Sequence, residues 1–75
     1  MTKKMTKIIK LLQEKDIKYV TVNSLAVNRD SIINHYNIDE EKANECLLQD
    51  IAAFGIRAFY SMRNDDYLWI SIIGD

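Results

Sequence analysis

The sequence predicts one α+β domain in which three helices are combined with a short strand and a C-terminal β-hairpin. Three observations predict this class. A helical stripe of apolar residues opens the chain, two more helical segments flank a turn in the middle, and alternating apolar residues surround a polar turn near the end. The 75 residues are enough for one small domain with a modest core.

The first helix is indicated by apolar residues spaced i, i+3, i+4 and i+7, with lysines on the opposite side of the helix. The stripe runs through Met5, Ile8, Ile9 and Leu12. The next segment, IKYVTV, alternates weakly and is rich in β-branched residues. It predicts a short strand from Ile17 to Val22.

The second helix is predicted to end at Tyr36 and to begin between Ser24 and Asp30, because either of these residues can cap a helix N-terminus. Asn37 suits the left-handed conformation of a turn, and Ile38 is expected to point inward. A turn is therefore predicted between the second and third helices.

The third helix is predicted to have Asp39 as its cap and to end at Phe54, because the following Gly55 favours a helix stop. Carboxylates in its first turn complement the positive end of the helix dipole. Its inward positions are predicted to be Ala43, Leu47, Ile51 and Phe54.

The closing hairpin spans Ile56 to Ile73 around the turn RNDD, and its register decides which aromatic residues face outward. A three-residue turn pairs Arg63 with Tyr67 and keeps arginine off the apolar face, so this register is preferred. The predicted core face is then Ile56, Ala58, Tyr60, Met62, Leu68, Ile70 and Ile72, and the outward face is Arg57, Phe59, Ser61, Arg63, Tyr67, Trp69 and Ser71. A turn of two or four residues would divide the aromatics differently.

The order helix, short strand, helix, turn, helix, hairpin resembles the winged-helix family, the helix-turn-helix variant with a β-wing. The resemblance is carried by VTV, by DSIINHYNIDEEKANECLLQDIAAFGI and by the hairpin. It implies a role in nucleic-acid machinery and assigns DNA reading to the helix from Asp39 to Phe54. The stretch between Val22 and Ile32 is longer than a minimal member needs.

The charges along the chain argue against DNA reading by that helix. Residues 1–18 hold six lysines against two carboxylates, a net +4, whereas residues 19–75 hold four basic residues against nine carboxylates, a net −5. The third helix has five carboxylates against Lys42 alone, and phosphates repel such a surface. Asn44 and Gln49 are the residue types that read bases, but carboxylates surround them.

Two sets of surface residues are therefore candidates for binding. Aromatic residues with arginine are enriched at protein-binding hot spots, and an acidic helix can dock onto a protein. The predicted partner-binding residues are Phe59, Tyr67, Trp69, Glu40, Glu41 and Glu45. The predicted nucleic-acid contacts, weak and salt-sensitive, are Lys3, Lys4, Lys7, Lys10, Arg57 and Arg63. Alternatively, the first helix or the chain ends cover the aromatics, or the aromatics stack on single-stranded nucleic acid.

No pattern of residues indicates catalysis, a metal site or a cofactor. His35 is the only histidine and is expected on a helix surface, Cys46 has no base near it in sequence, and Asp65 and Asp66 are turn formers. One cysteine cannot form an internal disulfide, and no apolar run reaches 18 residues. We therefore expect a non-enzymatic cytoplasmic protein.

The leading hypothesis is a winged-helix accessory protein that docks onto a larger DNA-handling protein such as a polymerase, primase, recombinase or regulator. The abundance of Ile, Lys and Asn suggests AT-rich coding DNA, as in bacterial mobile elements. A small DNA-binding regulator, dimeric through the hairpin or the first helix, is the second hypothesis. An acidic inhibitor that imitates DNA is the third.

Overall fold

The computed structural model describes residues 2–74, which form three helices and four strands in one α+β domain. The helices are α1 (Lys3–Glu14), α2 (Arg29–Tyr36) and α3 (Glu40–Ala52). The strands are β1 (Tyr19–Thr21), β2 (Leu25–Asn28), β3 (Ala58–Arg63) and β4 (Tyr67–Ile72). The α+β class is confirmed, with one more strand than predicted.

The four strands form an antiparallel sheet in the order β1-β2-β4-β3, and the helices pack on one face of it. Alternate residues of the two central strands point into the layer between sheet and helices. The core joins Leu25, Val27, Leu68 and Ile70 of the sheet to Ile8, Leu12, Ile32, Leu47 and Ile51 of the helices, all nearly inaccessible to solvent. The fold therefore has two layers.

Strand β2 occupies the region between Ser24 and Asp30, in which the second helix was predicted to begin. Its residues Leu25, Ala26 and Val27 are all buried, so the segment lacks the alternation that identifies a strand from sequence. Neither Ser24 nor Asp30 caps the helix. The cap of α2 is Asn28, whose side-chain oxygen accepts a hydrogen bond from the Ser31 backbone N–H at 2.9 Å. The long stretch before Ile32 is thus a second strand of a β1–β2 hairpin.

The turn between α2 and α3 has the predicted backbone conformation. Asn37 lies in the left-handed region with φ of 55°, and the Asp39 carboxylate accepts a hydrogen bond from the Lys42 N–H at 3.0 Å. The inward prediction for Ile38 is wrong, because the left-handed residue turns the chain and leaves Ile38 40% exposed.

Helix α3 ends earlier than predicted, and this changes the position of one aromatic side chain. Ala43, Leu47 and Ile51 are fully buried as predicted, but the helix stops at Ala52. The backbone turns toward Gly55, which has φ of +78°, so Phe54 leaves the helical stripe and is 54% exposed. The inward prediction for Phe54 is therefore wrong.

The hairpin follows the predicted register at one end only. Ala58, Phe59 and Tyr60 pair with Ile72, Ser71 and Ile70, as a three-residue turn requires. A β-bulge between Tyr60 and Met62 then shifts the pairing by one residue, so that Met62 lies opposite Trp69 and Arg63 opposite Leu68.

The bulge exchanges the faces predicted for two residues. Directly opposite residues share one face of a sheet, and Leu68 is buried against the helices. Arg63 therefore lies on the helical side and Met62 on the outer side, the reverse of both predictions. Met62 is 64% exposed as a result.

No helix within residues 2–74 is long and apolar enough to cross a membrane.

Candidate functional site

The outer face of the sheet carries a row of apolar side chains that no helix covers. The register places Val20, Ala26, Trp69 and Met62 side by side on four successive strands. Trp69 lies on β4 between Leu68 and Ile70, which point into the core, so this row points the other way. We call Val20, Ala26, Phe59, Met62 and Trp69 the outer sheet face.

The exposure of these residues shows that the row is both packed and accessible. Ala26 is 2% exposed but does not belong to the core cluster, because its neighbours on the outer sheet face cover it. Met62, Phe59 and Val20 are 64%, 46% and 39% exposed. Neighbouring large apolar side chains without a covering layer are typical of a binding surface.

The three aromatics predicted to bind a partner all lie on this side of the sheet. Tyr67, Trp69 and Ser71 are alternate residues of β4 and therefore share one face of the sheet. Phe59 lies opposite Ser71 on β3, and Tyr67 lies opposite Asn28 on β2. Phe59 is exposed, whereas Tyr67 and Trp69 are half-buried among their neighbours in the sheet. α1 does not cover them, since it belongs to the opposite layer.

At the other side of the molecule, Arg29 joins the starts of two helices to the hairpin loop. Its Nε donates to Glu40 Oε1 at 2.7 Å, and its Nη1 donates to the carbonyls of Asn64 and Asp65 at 2.9 Å each. Glu40 was predicted to bind a partner, but its carboxylate is half-buried and paired with Arg29. Its charge therefore serves the fold.

The remaining carboxylates at this end form the acidic surface that the sequence predicts. Glu41 and Glu45 are exposed on α3, and a groove beside them is lined by Asp39, Glu40, Glu41, Asn44 and Arg63. Arg63 is thus placed beside carboxylates rather than with the outward aromatics. Asn44 Oδ1 is buried without a hydrogen-bond partner among the described residues, so it is not turned outward to meet a base.

A second polar cluster joins the ends of all three helices. The Tyr36 hydroxyl donates to Asp50 Oδ2 at 2.5 Å, and Lys15 Nζ lies 3.0 Å from the same oxygen and 5.5 Å from the centre of the Tyr36 ring. The hydrogen bond from Tyr36 lowers the pKa of Asp50, and the nearby Lys15 charge acts in the same direction. Burial raises the pKa of Tyr36 well above its ordinary value, and the bond to Asp50 raises it further. The phenol stays protonated, which suits a structural link.

Three of the four α1 lysines that are predicted to contact nucleic acid are exposed. Lys3, Lys7 and Lys10 are exposed along one side of the helix, while Lys4 is half-buried and donates to the carbonyl of Gly74 at 3.3 Å. Arg57 is exposed at the start of the hairpin, on the outer side of the sheet. The predicted basic residues therefore lie on separate surfaces rather than in one patch.

No group of three or more His, Cys, Asp and Glu side chains within residues 2–74 is arranged to hold a metal ion. His35 is exposed at the end of α2, where its ring meets the edge of the Tyr36 ring. Cys46 is a half-buried free thiol on α3.

The sequence reasoning missed two features that shape these surfaces, the contacts of Arg29 and the bulge in β3. Arg29 makes its hydrogen bonds with residues 11, 35 and 36 positions away, so no local spacing reveals them. The exchange of Met62 and Arg63 depends on one bulge, and the preference for keeping arginine off the apolar face favoured a register without it.

Comparison of the chain with protein-family models, with curated proteins and with solved structures gave no match to any of them.

Proposed function

We propose that the protein is a winged-helix accessory protein that docks onto a larger DNA-handling protein through the outer sheet face. The order of helices and the C-terminal hairpin supports the winged-helix part of this proposal, with the β1–β2 hairpin in place of a single short strand. A bacterial mobile element is the proposed setting, on the composition of the chain alone.

The observation that carries the docking role is the uncovered apolar row across the sheet. Val20, Phe59 and Met62 are each more than a third exposed around the half-buried Trp69. Interface centres favour aromatic residues and methionine and exclude charge, and no charged residue belongs to this row. A partner that covers the row removes this apolar surface from water.

The electrostatics of α3 support docking rather than reading of DNA. Glu41 and Glu45 remain exposed on the helix that the family resemblance assigns to the major groove. Within residues 2–74, the ion pair of Arg29 neutralises only Glu40 among the carboxylates at this end. The phosphates that flank the major groove of DNA would therefore be repelled by the carboxylates of Glu41 and Glu45.

Photo-crosslinking in the host tests the proposal. Phe59 is replaced by benzoylphenylalanine, and Ile38, which is similarly exposed at the turn between α2 and α3, is replaced in the control. We expect Phe59 to crosslink to a larger DNA-handling protein and Ile38 not to do so. With the purified partner, Met62→Ser should weaken binding at least tenfold and Ile38→Ser should leave it unchanged. Equal crosslinking from both positions would contradict the proposal.

A dimeric DNA-binding regulator is the second candidate, because the outer sheet face is equally suited to a second copy of the chain. Sedimentation equilibrium separates the two candidates. A concentration-dependent dimer that Met62→Ser dissociates, together with sequence-specific duplex binding near physiological salt, would favour the regulator. A monomer with little duplex binding favours the accessory protein.

A further inference from the structure

The exposed Phe54 lies beside the lysines of α1 and not beside the outer sheet face. A shallow groove is lined by Lys7, Lys10, Leu11, Glu14 and Phe54. Phe54 is 54% exposed, whereas Leu11 at the base of the groove is 7% exposed. The groove is therefore mainly apolar, lined by the Phe54 ring, by Leu11 and by the aliphatic stems of Lys7 and Lys10.

The charge along this side of α1 is positive and largely uncompensated. Lys3, Lys7 and Lys10 occur at spacings of four and three residues, which places them on one helical face over about 10 Å. The first turn of α1 has no acidic residue. Within residues 2–74 the ion pairs are Lys15–Asp50 and Arg29–Glu40, so the three lysines have no carboxylate partner there. Glu14 is the one carboxylate that lines the groove.

We propose that this surface, Lys3, Lys7, Lys10 and Phe54, binds single-stranded nucleic acid. The Phe54 ring stacks on one base, and the lysines contact the phosphates on either side of it. This combination of an aromatic platform with a basic track is how proteins hold single strands without sequence preference. A duplex keeps its bases stacked on one another and offers Phe54 no free base face.

The charge and the ring together favour a nucleic acid over an acidic peptide. Three lysines spread along a helix match a ligand with a regularly repeated negative charge, and the flat Phe54 ring matches a flat base. The site is small, so binding is expected to be weak and to fall steeply with salt. The inference goes beyond the proposed function and narrows the nucleic-acid contact that the sequence predicts for Lys3, Lys7 and Lys10, and it uses the outer side of the helical layer rather than the sheet.

The test is a fluorescence anisotropy titration of the full chain with a labelled oligothymidylate and with a hairpin duplex of equal charge, over a series of salt concentrations. We expect the single strand to bind more tightly than the duplex. Phe54→Ser should weaken single-strand binding by at least about fivefold, since stacking on one base contributes that much or more. Lys7→Gln with Lys10→Gln should reduce the slope of log K against log salt by about 1.4.

Ile38→Ser and Lys42→Gln are the matched controls, an exposed apolar and an exposed basic residue outside the groove, and both should bind as the wild type does. Circular dichroism confirms that each variant is folded. Unchanged affinity of Phe54→Ser, equal binding of the duplex, or displacement of the oligonucleotide by hexaglutamate at similar concentration would overturn the proposal.

Met62→Ser separates this proposal from the docking function. It should weaken partner binding at least about tenfold and leave single-strand binding intact, whereas Phe54→Ser should weaken single-strand binding and leave partner binding intact. Loss of both activities in either variant would contradict the assignment of two separate surfaces.

Discussion

Asn28 shows how much of this structure depends on the side chain of one residue. It is the last residue of β2 and the cap of α2, so the chain changes from strand to helix without a loop. Its side-chain oxygen accepts the Ser31 N–H at 2.9 Å, and the Ser31 hydroxyl donates to the Asn28 carbonyl at 2.9 Å. The first of these bonds satisfies one of the backbone N–H groups that a helix start leaves unpaired, and the second ties the Ser31 side chain to the same residue.

Asn28→Ala should lower the free energy of unfolding by about 1 kcal/mol, because it removes the cap and leaves the Ser31 N–H without its acceptor. Urea denaturation measures the change. Ser24→Ala is the control, since Ser24 is exposed before β2 and caps nothing in the structure; its effect should be within about 0.5 kcal/mol. An equal loss in both variants would show that the cap is not at Asn28.

At the scale of elements, the bulge in β3 decides the character of both surfaces of the hairpin. Ser61 is the additional residue, and it moves Met62 to the outer sheet face and Arg63 to the acidic end of α3. β3 is also an edge strand, and a bulge interrupts the regular row of backbone groups that another strand would pair with. The bulge is thus compatible with an outward Met62 and also protects the edge.

Deletion of Ser61 tests the protective part of this role. The deletion joins the two halves of the hairpin into one continuous ladder and leaves Tyr60 facing inward and Met62 outward. We expect the variant to fold but to self-associate at lower concentration than the wild type, as measured by sedimentation velocity. Ser61→Ala keeps the bulge and should behave as the wild type. An unchanged monomer after deletion would contradict the role of the bulge at the edge.

The cluster of Lys15, Tyr36 and Asp50 connects the helices and makes the stability of the layer depend on pH. The pKa of Asp50 is lower in the folded chain than its unfolded value of about 4. The stabilisation is therefore present above that unfolded value and is lost as the pH falls through the folded pKa. The Asp50 side chain is 40% exposed, so solvent moderates the effect.

Asp50→Asn should therefore be less stable than the wild type at pH 7, and the difference between them should shrink as the pH falls below about 4. Urea denaturation over this pH range measures it. Glu45→Gln, an exposed carboxylate on the same helix, is the control and should leave the pH dependence as in the wild type. A constant difference between Asp50→Asn and wild type at all pH values would contradict the link.

The elements were predictable from sequence where a periodic pattern and a local signal agreed. The stripe on α1, the left-handed Asn37 and the Asp39 cap are all contained within a few residues, and the structure has each of them. β2 was missed because its side chains are buried on both faces and are all apolar from Leu25 to Val27, which removes the alternation of apolar and polar residues. The surfaces were less predictable because they depend on register, and one bulge reverses every face beyond it.

For the whole molecule, the two layers separate three surfaces of different chemistry. The outer sheet face is apolar, the start of α3 is acidic, and the exposed side of α1 is basic. A net charge of −1 conceals this separation. Opposite charges on distinct surfaces allow one small domain to contact a protein and a nucleic acid at once.

Glu41→Gln with Glu45→Gln tests whether the acidic helix ever enters a groove. Glu40 is left intact because its ion pair with Arg29 supports the fold. We expect duplex DNA binding to be unchanged or stronger in this double variant, since repulsion from phosphate is removed. Anisotropy with a labelled duplex at low salt measures it. A clear weakening would show that these carboxylates contact the DNA and that α3 is a reading helix.

The position of Trp69 gives the chain a built-in optical signal. It is the only tryptophan in the sequence and lies half-buried in the middle of the outer sheet face. The emission maximum of indole moves to shorter wavelength when water around the ring is replaced by apolar groups. A protein that covers the outer sheet face will therefore shift the emission maximum of Trp69 without any label. Oligonucleotides bound beside α1 will leave the emission maximum unchanged.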